Sequence, residues 1–151
     1  MIFIGIDPGK SGAVARLNDG NISINATPCN DKEYDIKAMI NLLHSCIIGH
    51  KVFAVIERAQ AMPGQGVVSM FEFGRGYGIW LALLSALDIP YQVVHSRVWT
   101  KQLLAGSPGE GKERNIAAAK RLFPSWQPKL KKDLLLCDAL LLAEYARRIY
   151  K

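Results

Sequence analysis

Apolar residues follow one another without interruption at the start of the chain and stop at a turn. Residues 2–6 read Ile-Phe-Ile-Gly-Ile, and an Asp-Pro-Gly sequence follows from Asp7. A short apolar run that ends at turn residues predicts a buried strand. Two further strands are predicted over 12–18 and 21–26, because the Asp-Gly dipeptide at 19–20 is a strong hairpin sequence.

After this hairpin the apolar spacing alternates between helical and extended. The predicted elements are, in order, a helix over 33–48, a strand over 52–56, a helix over 67–87, a strand over 91–94 and helices over 97–104, 112–123 and 133–150. Strands that alternate with helices are typical of the α/β class. The chain has 151 residues, which is about one compact domain. We therefore predict a single α/β domain over 1–151.

The three cysteines narrow the class of protein. Cys29, Cys46 and Cys137 are an odd number, and none stands in a Cys-x-x-Cys pair. A disulfide framework and a zinc ribbon are therefore not expected. No basic leader with an apolar core precedes Asp7, and no apolar stretch reaches about 18 residues. We expect no signal peptide and no association with a membrane, and we predict a cytoplasmic protein of a reducing compartment.

Positive charge is concentrated in the last third of the chain. The net charge is +6 overall, but residues 94–151 contain 12 Lys and Arg against 5 Asp and Glu, a surplus of +7. Lys and Arg neutralise phosphates and release counterions when they bind nucleic acid. This distribution therefore indicates a polyanionic partner.

Carboxylates stand at the ends of two apolar runs and inside a third. Asp7 ends the first strand, Glu57 ends the fourth, and Asp138 lies within the otherwise apolar residues 134–142. Taken singly, Asp7 is an ordinary turn residue and Glu57 an ordinary solvated one, whereas Asp138 requires a partner. If the first and fourth strands are parallel neighbours, the three carboxylates share one edge of the sheet. Oxygen ligands of this kind favour Mg²⁺ or Mn²⁺.

Four segments together carry a family resemblance. They are Gly-Ile-Asp-Pro-Gly at 5–9, Val-Ile-Glu at 55–57, the Gly-rich segment 66–78, and Cys-Asp-Ala-Leu-Leu-Leu-Ala-Glu-Tyr at 137–145. In this order and spacing the chain resembles RuvC-type Holliday junction resolvases, in particular the short forms carried by bacteriophages. The resemblance spans nearly the whole chain.

The resemblance implies both a fold and an activity. The fold is RNase H-like, a mixed five-stranded sheet of three antiparallel and then two parallel strands, flanked by helices. The activity is symmetric nicking of a four-way DNA junction by a homodimer, through Mg²⁺-dependent phosphodiester hydrolysis. Mn²⁺ is expected to substitute, with two ions at each site and no organic cofactor. The implied location is the cytoplasm of a bacterium or of a phage-infected host cell.

The resemblance also implies the metal ligands. Asp7, Glu57 and Asp138 match three of the four acidic ligands of the family. The fourth is usually an Asp or His three or four residues before the last aspartate, where this chain has two leucines. Asp133 is the nearest acid and is taken as the candidate catalytic ligand. On a regular helix it would point about 140° away from Asp138, and helix capping is its other role.

Residues that contact DNA are predicted from the resemblance and from charge. Lys101 and Lys112 match phosphate-contacting lysines, and Gln60 or Met62 is the predicted wedge at the exchange point. The other predicted contacts are Arg75, Lys131 and Lys132. The helix over 67–87 is apolar on more than one face, which predicts either a dimer interface or a helix buried within one chain.

Two alternatives to a strict resolvase remain open. One is a nuclease of relaxed specificity that cuts branched DNA generally. The other is a module that binds junctions with impaired catalysis, since Leu134 and Leu135 occupy the positions of the fourth ligand. Sugar kinases and actin-like ATPases share a Gly-Ile-Asp-x-Gly strand end, but they need a duplicated domain and a far longer chain.

Overall fold

Strands and helices account for most of the chain, which the computed structural model describes over residues 1–60, 64–128 and 130–150. The strands are β1 (Ile2–Asp7), β2 (Ala13–Asn18), β3 (Asn21–Ala26), β4 (Cys29–Asn30), β5 (Glu33–Tyr34), β6 (Val52–Glu57) and β7 (Tyr91–Val94). The helices are α1 (Ile36–Ile47), α2 (Val67–Ala86), α3 (Ser96–Leu103), α4 (Gly111–Leu122), α5 (Lys131–Leu134) and α6 (Cys137–Ile149). None of these helices is long and apolar enough to cross a membrane.

Five of the strands form one mixed sheet in the order β3-β2-β1-β6-β7. β2 pairs antiparallel with both β1 and β3, whereas β6 pairs parallel with both β1 and β7. The predicted sheet of three antiparallel and then two parallel strands is confirmed. Ile6 is aligned with Ile56 in the central parallel pair. Asp7 and Glu57, which follow them, therefore end neighbouring strands at the same edge.

Helices cover both faces of the sheet. On one face α6 packs against β1, β2 and β6, and Val55 and Leu141 are fully buried there. On the other face Ile4, Ile56 and Trp80 are fully buried in a cluster with α1 and α2. A strand that is buried on both faces has no polar face, which explains the uninterrupted apolar runs of β1 and β6.

Gly5 lets α6 approach the central strand closely. A Cβ atom at this position would lie 2.1 Å from the carbonyl oxygen of Ala139 and 2.2 Å from the amide nitrogen of Ala143. Any side chain larger than hydrogen would therefore push α6 away from β1. Because α6 carries Asp138 and β1 carries Asp7, this contact sets the separation between the two carboxylates.

A two-stranded ribbon, β4 with β5, was not predicted and replaces the start of the predicted helix over 33–48. The helix begins at Ile36 instead, and the Asp35 side chain accepts a hydrogen bond of 2.9 Å from the amide of Ala38. Aspartate is a favoured N-cap residue because its side chain satisfies a free amide of the first turn. The cap therefore fixes the helix start three residues later than the apolar spacing suggested.

The predicted helix over 133–150 is broken into α5 and α6. The amides of Leu135 and Leu136 donate to the carbonyls of Lys132 and Asp133, three residues earlier in each case, and the chain turns before α6 begins. Asp138 consequently lies in the first turn of α6. Asp133 and Asp138 therefore lie on separate helices, and the angle expected between them on one regular helix does not apply.

Candidate active site

Three carboxylates from three separate elements converge at one edge of the sheet. Asp7 is the last residue of β1, and Glu57 is the last residue of the parallel neighbour β6. Asp138 enters from the first turn of α6, which is held against β1 at Gly5. The fold places Asp7 and Glu57 at one edge of the sheet, with Asp138 near enough for its charge to act on both.

The pKa values of Asp7 and Glu57 are raised because both carboxylates are partly desolvated and lie near other negative charges. Burial, and then the charge of Asp138, raise the pKa of Asp7 to about 6, while the charge of Lys112 acts in the opposite direction. Burial also raises the pKa of Glu57 to about 7, with Asp7 and Asp138 adding to the rise while a hydrogen bond from Trp99 opposes it. Removing water and adding a like charge both disfavour an ionised carboxylate.

Neighbouring side chains hold two of the carboxylates in place. The indole N–H of Trp99 donates to Oε2 of Glu57 at 2.8 Å. The ammonium of Lys112 lies 2.7 Å from Oδ2 of Asp138, and the amide of Asn115 donates to Oδ1 at 2.8 Å. These contacts fix the orientation of Glu57 and Asp138, because each bond ties a rotatable carboxyl group to a packed helix.

The donor set fits a divalent cation in kind. Mg²⁺ and Mn²⁺ prefer carboxylate oxygens, and a bound cation would relieve the repulsion between Asp7 and Glu57. As the side chains are arranged, however, no three His, Cys, Asp or Glu residues within the described ranges are placed to hold an ion together. Both oxygens of Asp138 are engaged by Lys112 and Asn115. A cation that binds Asp138 would therefore have to share an oxygen with one of these partners or replace it.

The arrangement of strands and helices matches solved structures. Thermus thermophilus RuvC in complex with a Holliday junction substrate superposes with a TM-score of 0.62 at 19% identity, over 98% of this chain and 96% of that chain. Another structure of Thermus thermophilus RuvC gives 0.57 at 20% identity over the same shares. This chain has the RuvC fold. The RNase H-like fold predicted from the four segments is confirmed.

Sequence similarity points the same way. The chain is 33% identical over 98 residues, or 63% of its length, to the chloroplastic Holliday junction resolvase MOC1 of Chlamydomonas reinhardtii. It spans only 11% of the length of that protein. No family model matches the chain. The resemblance to RuvC-type proteins is confirmed, and the special likeness to bacteriophage forms stays a prediction.

Within this RuvC fold, Asp133 is not brought to the other three acids. Its carboxylate accepts a hydrogen bond of 3.1 Å from the amide of Leu130, which caps the start of α5. Asp133 also lines a cavity of about 270 Å³ together with Ile22 and Trp126, beside the outer strand β3. Its observed contact is therefore the capping one, and its role as a fourth ligand stays a prediction.

The residues predicted to contact DNA are in varied surroundings. Lys101 is exposed and lines a cavity of about 560 Å³ between α3 and α4, whereas Lys112 is paired with Asp138. Arg75 is paired with Glu33 at 2.8 Å and with Glu72 at 2.7 Å, so its charge is already neutralised.

The remaining predicted contacts lie at the surface or beyond the described ranges. The amide nitrogen of Gln60 lies 2.6 Å from Nδ1 of His95. Lys131 and Lys132 are exposed on α5, and Met62 lies outside the described residues.

Sequence reasoning missed Trp99 and Asn115 as parts of the site. Each lies far along the chain from the acid that it contacts, 42 residues from Glu57 and 23 residues from Asp138 respectively. Trp99 belongs to an ordinary amphipathic helix and Asn115 to a basic one, so no local pattern distinguishes them. Only the packing of α3 and α4 beside the sheet edge brings them to the carboxylates.

Proposed function

We propose that this protein is a divalent-metal-dependent endonuclease that cuts four-way DNA junctions. The convergence of Asp7, Glu57 and Asp138 at the carboxyl ends of β1 and β6 carries the proposal. The RuvC fold and the partial sequence match to a Holliday junction resolvase support the choice of a branched DNA substrate.

The acids would act as ligands and not as nucleophiles. Asp7 ends the rigid central strand and is the ligand best placed to be shared between ions, while Glu57 and Asp138 would each complete one coordination sphere. Mg²⁺ or Mn²⁺ bound there would supply activation of a water molecule and stabilisation of the leaving oxygen. Trp99 orients Glu57, and Asn115 orients Asp138, through the hydrogen bonds described above.

A basic cavity beside the acids supports the DNA substrate. Arg97, Lys101 and Arg114 line it, and no acidic side chain is among the described residues that form its wall. Asn115 lines the same cavity and also donates to Asp138, so the cavity adjoins the acids. Cations held along a groove position the phosphate backbone without reading sequence. We infer that one strand of the junction runs through this cavity past the carboxylates.

The exposed face of α2 supports a homodimer. Val67, Val68 and Phe71 are 83%, 77% and 68% exposed, whereas Trp80 is fully buried on the opposite face. A Cβ atom added at Gly74 would meet nothing within 4 Å, so a second helix could approach closely there. Two nicks placed symmetrically across a junction require two copies of the site. We infer that a second copy covers this face of α2.

The test of the activity compares a labelled four-way junction with a linear duplex of the same sequence, in Mg²⁺, Mn²⁺ or chelator. We expect paired, metal-dependent nicks in the junction and none in the duplex. Asp7→Asn should lose both nicks in the junction. Asp133→Asn is measured alongside. An unchanged rate in that variant would show that three carboxylates suffice, and a loss would identify Asp133 as the fourth ligand.

Other results would favour the alternatives. Equal cutting of forks, flaps and junctions would indicate a branched-DNA nuclease of relaxed specificity. Tight junction binding without cutting in either metal would indicate an impaired binding module, and would implicate Leu134 and Leu135. Sedimentation tests the dimer separately: we expect a dimer for the wild type and a monomer for Phe71→Glu, and a monomeric wild type at micromolar concentration would contradict paired cutting.

A further inference from the structure

Lys112 is paired with one oxygen of Asp138, a carboxylate that would hold a metal ion in the proposed function. Its ammonium donates to Oδ2 of Asp138 at 2.7 Å and to the carbonyl oxygen of Leu135 at 3.0 Å. Leu135 lies in the turn between α5 and α6, so the one side chain is bonded both to the acid and to the turn that precedes it. The side chains of Lys112 and Asp138 are 38% and 19% exposed, so the pair is partly shielded from water.

The charge of Lys112 acts on the whole acid cluster. It opposes the rise in pKa of both Asp7 and Glu57, so its field reaches all three carboxylates. A cation at this position partly neutralises acids that would otherwise repel one another. A divalent ion shared by Asp138 would carry the same sign of charge into the same space. The two cations therefore compete for Oδ2 of Asp138.

We propose that Lys112 is a resident counter-ion that holds Asp138 in the metal-free protein and is displaced from it when a divalent cation binds. This inference rests on the metal site of the proposed function. Lys112 is then a positioning residue that sets the affinity for the metal, in addition to the DNA contact predicted from the sequence. Asn115 keeps its bond to Oδ1, so Asp138 retains one fixed oxygen while the other changes partner.

The position of Lys112 gives the displaced ammonium a second partner. Gly111 and Asn115, which lie on either side of it on α4, both line the basic cavity between α3 and α4. An ammonium that leaves Asp138 remains at the rim of that cavity, because its backbone is fixed in the first turn of the helix. A phosphate of a bound DNA strand is the anion that would receive it. Metal and DNA would then favour the same released state of Lys112.

The test measures Mn²⁺ binding to the free protein by titration calorimetry and by electron paramagnetic resonance, without DNA. Replacing Lys112 by methionine keeps the stem and removes the competing charge. Because a partly exposed ion pair of this kind is lost, we expect Lys112→Met to bind Mn²⁺ about three- to tenfold more tightly than the wild type. Lys112→Arg keeps the charge, so we expect no gain. Lys120→Met removes an exposed lysine from the same helix and is the matched control.

Each outcome separates this inference from the metal site on which it rests. Asp7-dependent Mn²⁺ binding that is equal or weaker in Lys112→Met would overturn the counter-ion role and leave the metal site standing. An equal gain in Lys120→Met would also overturn it, because the effect would then be one of net charge. Absence of Asp7-dependent binding in every variant would reject the metal site as well. Lys112→Gln provides a second neutral variant, and circular dichroism checks that each is folded.

Discussion

Replacing Asp7 by asparagine should stabilise the metal-free protein while abolishing its activity. The pKa of Asp7 rises from its ordinary 3.8 to about 6, mainly because of burial and then because of the charge of Asp138. At about 1.4 kcal/mol for each pKa unit, the ionised carboxylate costs the folded state about 2–3 kcal/mol. Asparagine has the same shape without the charge, so Asp7→Asn should recover this free energy of unfolding wherever Asp7 is ionised.

The pH dependence follows from the sign of the shift. The folded state binds the proton of Asp7 more tightly than the unfolded state does. The stabilisation that this protonated carboxyl contributes is therefore complete below pH 3.8 and is lost as the pH rises through about 6. Glu57 acts in the same direction, from pH 4.5 through about 7. Because Glu57 is present in both proteins, the wild type should lose stability relative to Asp7→Asn between about pH 4 and 6, and the difference should be constant above that range.

Urea unfolding followed by circular dichroism, in chelator at pH 4, 6 and 8, measures this difference. Asp88→Asn, on an exposed turn after α2, is the control and should stay within about 0.5 kcal/mol of the wild type at each pH. Adding Mg²⁺ at pH 8 should then stabilise the wild type and not Asp7→Asn. An Asp7→Asn protein that is less stable than the wild type at pH 8, or a difference that does not vary with pH, would refute the reasoning.

Two further substitutions test the packing and the orientation of the site. Gly5→Ala must move α6 by about 1.3 Å to bring the 2.1 Å contact with its backbone out to the ordinary 3.4 Å, so we expect a loss of about 3 kcal/mol in urea unfolding. Stability equal to that of the wild type would contradict the close packing. Trp99→Phe removes the one hydrogen bond described for Glu57, which lowers the pKa of that carboxyl. We expect junction cleavage to fall about 10- to 100-fold, with the acid limb of its pH profile, on which activity rises with pH, displaced to higher pH; an unchanged profile would show that Trp99 does not orient Glu57.

The sheet could be predicted from the sequence because its patterns are local. Three local patterns each predict a strand without reference to distant residues: an apolar run that ends in Asp-Pro-Gly, an Asp-Gly hairpin, and a β-branched run before Glu57. The parallel pairing of β1 with β6 then follows from the intervening helix α1, and it brings Asp7 and Glu57 to one edge. The shared position of these two strand-end carboxylates was therefore accessible to sequence reasoning.

The helical half of the site was less accessible, since its geometry depends on contacts between distant segments. The apolar residues 134–142 suggest one continuous helix, yet the chain turns at Leu135 and Leu136. Nothing in the local pattern marks that turn, which Lys112 braces from 23 residues earlier in the chain. Because of this turn, Asp133 caps the start of α5, and Asp138 lies in the first turn of α6.

The contacts of Lys112 link the stability of the turn to the charge of the acid cluster. Three carboxylates brought together by the fold would destabilise it in the absence of metal, since each one raises the cost of ionising its neighbours. Lys112 on α4 reduces that cost by pairing with Asp138, and its second bond, to the carbonyl oxygen of Leu135, holds the turn that precedes Asp138. The price is competition with the metal ion. If the proposed metal site is correct, a resident lysine would therefore let this chain keep the acid cluster folded before a metal ion binds, at the expense of weaker metal binding until DNA offered the lysine another anion.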